Sequence, residues 1–159
     1  MPKGDNAVDD PLLEAALPST IMRYRKKAVR TAVVAVVKND DGNVLLTKRA
    51  IPPYLGKWVM PGGKIDLGEP ITAALKREVR EEVGLEVHVE GLIDIYEIVP
   101  SDEHREHYVI LYYLASHKSG DLAPNAGEIS EVVWANQEAA SRMDIPDGTR
   151  YILTKVFAA

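Results

Sequence analysis

One helix with well-defined ends constrains the fold more than any other segment of the chain. Proline is favoured at the start of a helix and glycine just past its end, so Pro70 and Gly84 predict a helix over Ile71–Val83. At about 100° per residue, its apolar side chains gather on a single arc of the helix surface. They are Ile71, Ala74, Leu75, Val79 and Val83. This face should be buried.

Carboxylates interrupt that apolar face. Glu78 falls at ~340° and Glu82 at ~20°, inside the arc, while Glu81 lies at its margin near ~280°. Like charges three and four residues apart repel each other, and burying them unpaired is costly. A divalent cation removes both objections, because Mg²⁺ binds carboxylate oxygens. The alternative is a solvated face whose glutamates pair with basic residues of the same helix. The overlap with the apolar arc favours a metal site.

Short apolar segments before and after this helix are typical of strands. Turn residues at 40–43 join the first two of these segments into a hairpin, and Pro61-Gly62-Gly63 should break the chain sharply. Two terminal helices are predicted at Asn136–Arg142 and Tyr151–Phe157. The predicted strands are Thr31–Val37, Val44–Arg49, Trp58–Met60, Leu85–Ile98, Tyr108–Ala115 and Glu131–Ala135. The order indicates an α/β domain with a mixed sheet rather than a repeated βαβ fold.

The length of 159 residues suits one domain with its own core. We expect residues 1–20 to be an N-terminal extension with a short helix from Asp10-Pro11 to Ala16, and residues 21–159 to form the domain. The basic run Arg23–Lys27 is typical of a solvated segment, with phosphate contact as the alternative.

Charge and cysteine content exclude several kinds of function. The net charge of −5 gives no general attraction to nucleic acids or anionic membranes, so neither is an expected partner. Without any cysteine, disulfides, thiolate metal sites and cysteine nucleophiles are excluded. The sequence has no membrane-spanning apolar stretch and no signal-peptide pattern. We therefore expect a cytoplasmic location.

The segment Gly63–Leu85 resembles the Nudix box, G-x5-E-x7-R-E-U-x-E-E-x-G-U, where U is an aliphatic residue. The match includes Pro61-Gly62 just before the box and strands on both sides of it. The resemblance implies an α/β/α sandwich and hydrolysis of a nucleoside diphosphate linked to another moiety. All nine fixed positions match, at Gly63, Glu69, Arg77, Glu78, Val79, Glu81, Glu82, Gly84 and Leu85.

By this resemblance, the box supplies the metal site. The Mg²⁺ or Mn²⁺ ligands would be Glu78, Glu81, Glu82 and the Gly63 carbonyl, and Arg77 would orient the glutamates together with Glu69. Metal ions neutralise phosphate charge and activate a bound water, whose proton a carboxylate then accepts. That general base would be Glu78 or a later acid, either Glu128 or Glu131.

The substrate is less well defined by the sequence. Pro100 lies fifteen positions after Leu85, which resembles the mark of ADP-ribose pyrophosphatases, although it also suits the start of a loop. ADP-ribose or a related nucleoside diphosphate sugar is therefore the first candidate. Nucleoside triphosphates, including oxidised ones such as 8-oxo-dGTP, are the alternative. Further candidates for substrate contact are Arg49 for phosphate and Tyr54, Tyr96 or Tyr112 for a base.

Two other classes of function compete with an enzyme. A nucleotide-sensing domain without catalysis would be expected to lack some box glutamates, and an RNA-directed hydrolase should be more basic. His104 and His107 lack the spacing of a metal cluster, and Trp134 is expected in the core. The expected partner is a small nucleotide, and a homodimer is predicted from the family.

Overall fold

The computed structural model describes residues 28–102 and 106–159. The predictions for the 1–20 extension, the 10–16 helix, the Arg23–Lys27 run and His104 lie outside these residues. The strands are β1 (Arg30–Lys38), β2 (Val44–Arg49), β3 (Trp58–Val59), β4 (Gly62–Lys64), β5 (Glu86–Ile98), β6 (Tyr108–Ser119) and β7 (Ile129–Ala135). The helices are α1 (Ile71–Val83), α2 (Gln137–Ser141) and α3 (Asp147–Ala158).

A seven-stranded mixed sheet forms the centre of the domain. Its main path runs β3-β2-β1-β6-β5, with β4 paired to β1 and β7 paired to β2. β1 and β6 are parallel along their length, from Arg30 opposite Tyr108 to Lys38 opposite Ser116. The other pairings are antiparallel, including the predicted β1–β2 hairpin, which closes at Lys38 opposite Val44. The predicted mixed sheet is confirmed.

Helices cover both faces of the sheet. The apolar arc of α1 packs on one face, where Leu75, Val79 and Val83 join Val33 and Leu45 in one buried cluster. On the other face, Ile152 and Leu153 of α3 and Ala140 of α2 meet a second cluster from the sheet. The structure therefore has the α/β/α layering that the resemblance implied. No helix in the described part of the chain is long and apolar enough to cross a membrane.

The main differences from the predicted elements occur at glycine and proline. Gly62 and Gly63, predicted as a break, form β4 instead, since this segment pairs with Val33 and Val34 of β1. α3 begins at Asp147 rather than Tyr151, because Pro146 precedes a helix as readily as Pro70 does. The helix predicted after Asn136 is confirmed, and the Asn136 side chain accepts a hydrogen bond from the Ala139 N–H.

Candidate active site

The short strand β4 brings the backbone against the carboxylates of α1. The Gly62 N–H donates to Oε2 of Glu82 at 3.2 Å. A Cβ on Gly63 would lie 2.4 Å from the carboxyl carbon of Glu78, and one on Gly62 would lie 2.3 Å from the carbonyl oxygen of Val33. Neither position accepts a side chain without displacing its neighbour. The two glycines thus allow β4 to fit between β1 and the acidic face of α1.

Arg77 lies at the centre of an ion-pair network beside β4. Its guanidinium donates to both carboxylate oxygens of Glu69, at 2.7 and 2.9 Å, and to Oε1 of Glu78 at 2.7 Å. It also donates to Glu81 at 3.3 Å and to the Lys64 carbonyl at 3.2 Å. The bond from Arg77 lowers the pKa of Glu69 to about 2. The predicted pairing of Arg77 with Glu69 is present, and Arg77 fixes Glu78 in the same network.

Glu82 and Glu78 lie in an environment that disfavours negative charge. The pKa of Glu82 is raised to about 8, chiefly by burial and also by the nearby Glu78 and Glu128 carboxylates, while the Gly62 N–H and Arg49 act in the opposite direction. Burial also raises the pKa of Glu78, opposed by its bond to Arg77. A cation placed among these acids would relieve both effects. These electrostatics follow from the position of both side chains near the apolar arc.

The two α1 glutamates nearest the core could hold a divalent cation. Glu82 is 6% exposed and the Glu78 side chain 15%, whereas the Glu81 side chain is 58% exposed. Within residues 28–102 and 106–159, no group of three or more histidine, aspartate or glutamate side chains is arranged to coordinate a metal ion by itself. Mg²⁺ requires only one or two carboxylates, because water and substrate phosphates supply its other ligands. Glu78, Glu82 and the Gly63 carbonyl would hold the ion, with Glu81 as a further predicted ligand.

The two candidate later acids occupy different environments. Glu128 is exposed just before β7 and acts electrostatically on both Glu78 and Glu82. Its backbone carbonyl accepts a hydrogen bond from Ala50 at 2.8 Å, which ties this loop to the end of β2. Glu131 instead forms an ion pair with Lys48 at 2.8 Å on the neighbouring strand. The fold thus brings Glu128 to the carboxylates of α1.

Arg49 and Tyr54 lie at the edge of the same group of charges. The Arg49 side chain donates to the carbonyls of Pro52 and Pro53, at 3.5 and 2.5 Å, in the loop that follows β2. Burial raises the pKa of both Glu82 and Tyr54, and the charge of Arg49 opposes the rise in each, so Arg49 lies within electrostatic range of both groups. Tyr54 is half-buried and adopts a positive φ of 62°. The roles of Arg49 and Tyr54 in substrate contact stay predictions.

The remaining candidate residues lie on the surface, pack against the core or bond to other side chains. Pro100 is exposed two positions after the end of β5, and its role stays a prediction. Trp134 packs against the core beneath α1, as expected. His107 bonds to Glu97 at 2.8 Å. No residue pattern predicts the Lys64 carbonyl as a partner of Arg77, because a backbone acceptor has no residue preference.

The class of protein follows from this fold and from the family it matches. The model of the NUDIX domain family matches residues 28–156, which include all seven strands and the helices described above except the last two residues of α3. The chain therefore belongs to the Nudix family. The resemblance drawn from the box is confirmed.

Named relatives have differing substrates. The ADP-ribose pyrophosphatase of Methanocaldococcus jannaschii is 29% identical over 102 residues, covering 64% of this chain and 60% of the relative. The 8-oxo-dGDP phosphatase NUDT18 of Homo sapiens is 39% identical over 87 residues, covering 55% of this chain and 27% of that protein. The nucleoside triphosphatase NudI of Salmonella agona is 31% identical over 134 residues, covering 78% and 94%. The chain thus spans less than two thirds of the first two relatives.

A solved structure supports the fold. The MutT NUDIX hydrolase from Burkholderia pseudomallei superposes with a TM-score of 0.73 at 29% identity, covering 82% of this chain and 99% of that one. The similarity extends well beyond the box itself.

Proposed function

We propose that the protein is a Mg²⁺-dependent hydrolase that cleaves the pyrophosphate linkage of a nucleoside diphosphate derivative. The principal support is the buried Glu82, which contacts the Gly62 N–H and lies among further acids without a basic partner for its carboxylate in the described residues. A group this costly to bury has its simplest explanation in cation binding. The family match and the names of the relatives agree with this chemistry.

Each side chain of the site has a separate role in the proposed reaction. A bound metal ion supplies phosphate charge neutralisation and a water of lowered pKa. Glu78 or Glu128 accepts the proton of the water as its oxygen bonds to phosphorus, while the bridging P–O bond breaks and the second phosphate leaves with that oxygen. Arg77 keeps Glu78 in place by its 2.7 Å bond. Arg49 contacts a phosphate oxygen of the substrate in this proposal, which its electrostatic effect on Glu82 supports.

ADP-ribose or a related nucleoside diphosphate sugar is the first substrate candidate. Its support is the position of Pro100 after the box and the name of the archaeal relative. A nucleoside triphosphate, including an oxidised one, is the second candidate, supported by NudI, which this chain matches over 94% of that protein. Dimerisation stays a prediction, which light scattering would test.

Product analysis by mass spectrometry distinguishes these activities. The protein is incubated with Mg²⁺ and a panel of ADP-ribose, sugar nucleotides, dinucleoside polyphosphates, and normal and oxidised triphosphates. AMP and ribose phosphate from ADP-ribose would support the first candidate, and pyrophosphate from a triphosphate would support the second. No product from any compound, with or without Mn²⁺, would contradict the enzyme and favour a nucleotide-sensing domain.

A further inference from the structure

Tyr96 and Tyr112 pack on the face of the sheet opposite α1, beside the start of α3, and Tyr54 lies within electrostatic range of both. Tyr112 lies on β6, Tyr96 on β5, and Tyr54 in the loop after β2. Their hydroxyls are close enough to interact: burial raises the pKa of Tyr112, and Tyr54 and Tyr96 raise it further. A Cβ on Gly148 of α3 would lie 3.0 Å from the Tyr96 ring and 3.5 Å from the Tyr112 hydroxyl. The absent side chain keeps α3 close to both rings.

The Tyr112 hydroxyl is the unusual group in this cluster. Tyr112 is only 4% exposed, and its hydroxyl forms no hydrogen bond to any residue that the structure describes. Yet no fully buried side-chain polar atom in the described part of the chain lacks a partner. The hydroxyl must therefore reach solvent although the rest of the residue is buried. A buried tyrosine normally finds a partner for its hydroxyl, so this one is available to a ligand.

The start of α3 adds further free donors at the same place. Pro146 occupies the position before the helix, and no side chain there caps the first turn. The backbone N–H groups of Asp147 and Gly148 have no acceptor within the helix. The Asp147 carboxylate is close enough to raise the pKa of Tyr54. The cluster thus offers aromatic rings, hydroxyls that donate and accept, and backbone donors.

The sheet connects this cluster to the carboxylates. Tyr112 of β6 is opposite Val34 of β1, and Val34 is in turn opposite Gly62 of β4. Two strand spacings, roughly 10 Å, therefore separate Tyr112 from the glycine whose N–H binds Glu82. Arg49 is within electrostatic range of both Glu82 and Tyr54. A nucleoside can span this separation from its phosphate to its base.

We propose that Tyr54, Tyr96 and Tyr112 form the site for the base of the nucleotide, with the Tyr112 hydroxyl as the specificity-determining group. The base packs on the Tyr54 and Tyr96 rings, and a ring nitrogen or exocyclic group bonds to the Tyr112 hydroxyl. The proposal rests on the proposed function, because the phosphates must lie at the carboxylates for the base to reach this cluster.

Tyr112→Phe tests the proposal, since it removes only the hydroxyl. The probes are the four nucleoside 5′-monophosphates and ribose 5-phosphate, titrated with Mg²⁺ by calorimetry or NMR. We expect wild type to bind at least one nucleotide more tightly than ribose 5-phosphate. The variant should bind that nucleotide roughly tenfold more weakly than wild type does, and its affinity for ribose 5-phosphate should be unchanged. Its melting temperature should not fall, because the hydroxyl has no hydrogen bond to lose within residues 28–102 and 106–159.

Tyr113→Phe is the matched control. Tyr113 is the next residue on β6, but it packs on the opposite face against the core beneath α1. This variant should bind every probe as wild type does. Equal nucleotide affinity in wild type and Tyr112→Phe would overturn the proposal, as would equal wild-type affinity for the nucleotides and ribose 5-phosphate. Turnover of the substrate panel by wild type tests the proposed function separately, so the two failures are distinguishable.

Discussion

Gly62 donates its backbone N–H to Oε2 of Glu82 across 3.2 Å, and within the described residues no basic side chain pairs with that carboxylate. Glu82→Gln keeps the shape and the acceptor oxygen but removes the ionisable carboxyl, whose burial costs free energy because its pKa must rise from 4.5 to about 8. In EDTA at neutral pH, the variant should be more stable than wild type, on the order of 1–3 kcal/mol. Mg²⁺ should raise the melting temperature of wild type but not that of the variant. The variant should also lose turnover of the substrate.

Glu90→Gln is the control for that measurement, because Glu90 is an exposed glutamate on β5. It should change neither the stability in EDTA nor the effect of Mg²⁺. An equal Mg²⁺ shift in Glu82→Gln and wild type would contradict the assignment of Glu82 as a metal ligand.

Arg77→Lys should lower kcat/KM while leaving the fold intact. Lysine keeps the charge but cannot bond to Glu69 through two nitrogens while also holding Glu78. We expect a loss of about 10–100-fold, the usual effect of removing a group that orients a metal ligand. Steady-state kinetics with Mg²⁺ titration measures it. Arg80→Lys, at an exposed arginine of the same helix that pairs with Glu86 at the start of β5, should retain wild-type kinetics. Equal losses in both variants would contradict the role of Arg77.

Gly63→Ala should reduce activity more than stability. The new methyl group would lie 2.4 Å from the Glu78 carboxyl carbon, a flexible group that can move away but then leaves the site. Gly62→Ala would instead meet the backbone of Val33 and should destabilise the protein. Gly91→Ala is the control, since a Cβ there meets nothing within 4 Å. Thermal melts and turnover rates of the three variants should separate these effects; full activity in Gly63→Ala would contradict the prediction.

Local patterns were enough to predict the elements that form the site. α1 has the predicted bounds because Pro70 and Gly84 act through the backbone of their own segment, and Glu78 and Glu82 lie near the core as their helical angles indicate. The helical angle of Glu81 places it at the margin of the apolar arc, so the angle alone does not decide whether it is buried. Its side chain is 58% exposed beside Arg77.

Contacts between distant segments could not be predicted in the same way. Nothing in Gly62-Gly63 itself indicates a strand, because glycine disfavours strands and β4 forms only through its register with β1. The parallel pairing of β1 with β6, about eighty positions away, places Tyr112 near α3, where its hydroxyl has no hydrogen-bond partner among the described residues. No local pattern contains that information.

Glu128→Gln tests the choice of general base. Glu128 acts electrostatically on Glu78 and Glu82, whereas Glu131 is engaged by Lys48. If Glu128 accepts the proton of the attacking water, the variant should lose about 10²–10⁴-fold in kcat with little change in KM. Glu131→Gln should behave as wild type. A wild-type kcat in Glu128→Gln would exclude Glu128 as the base and favour Glu78.

Asp94 should make the stability depend on pH through the docking of α3 on β5. Its carboxylate accepts hydrogen bonds from Lys155 and from the Tyr151 hydroxyl, the latter at 2.9 Å, and the Lys155 ammonium lowers its pKa from 3.8 to about 2. A carboxyl whose folded pKa is depressed stabilises the protein above its unfolded pKa and loses that contribution as the pH falls through its folded pKa.

Asp94→Asn should therefore be less stable than wild type near pH ~6, and the difference should vanish as the pH approaches ~2. Chemical denaturation across this range measures the difference. The control is Asp144→Asn, since Asp144 pairs with Lys57 at 3.1 Å while its side chain remains 70% exposed. Exposed pairs contribute little, so this variant should follow wild type at every pH. A constant difference between Asp94→Asn and wild type would show that the side chain acts through packing and not through its charge.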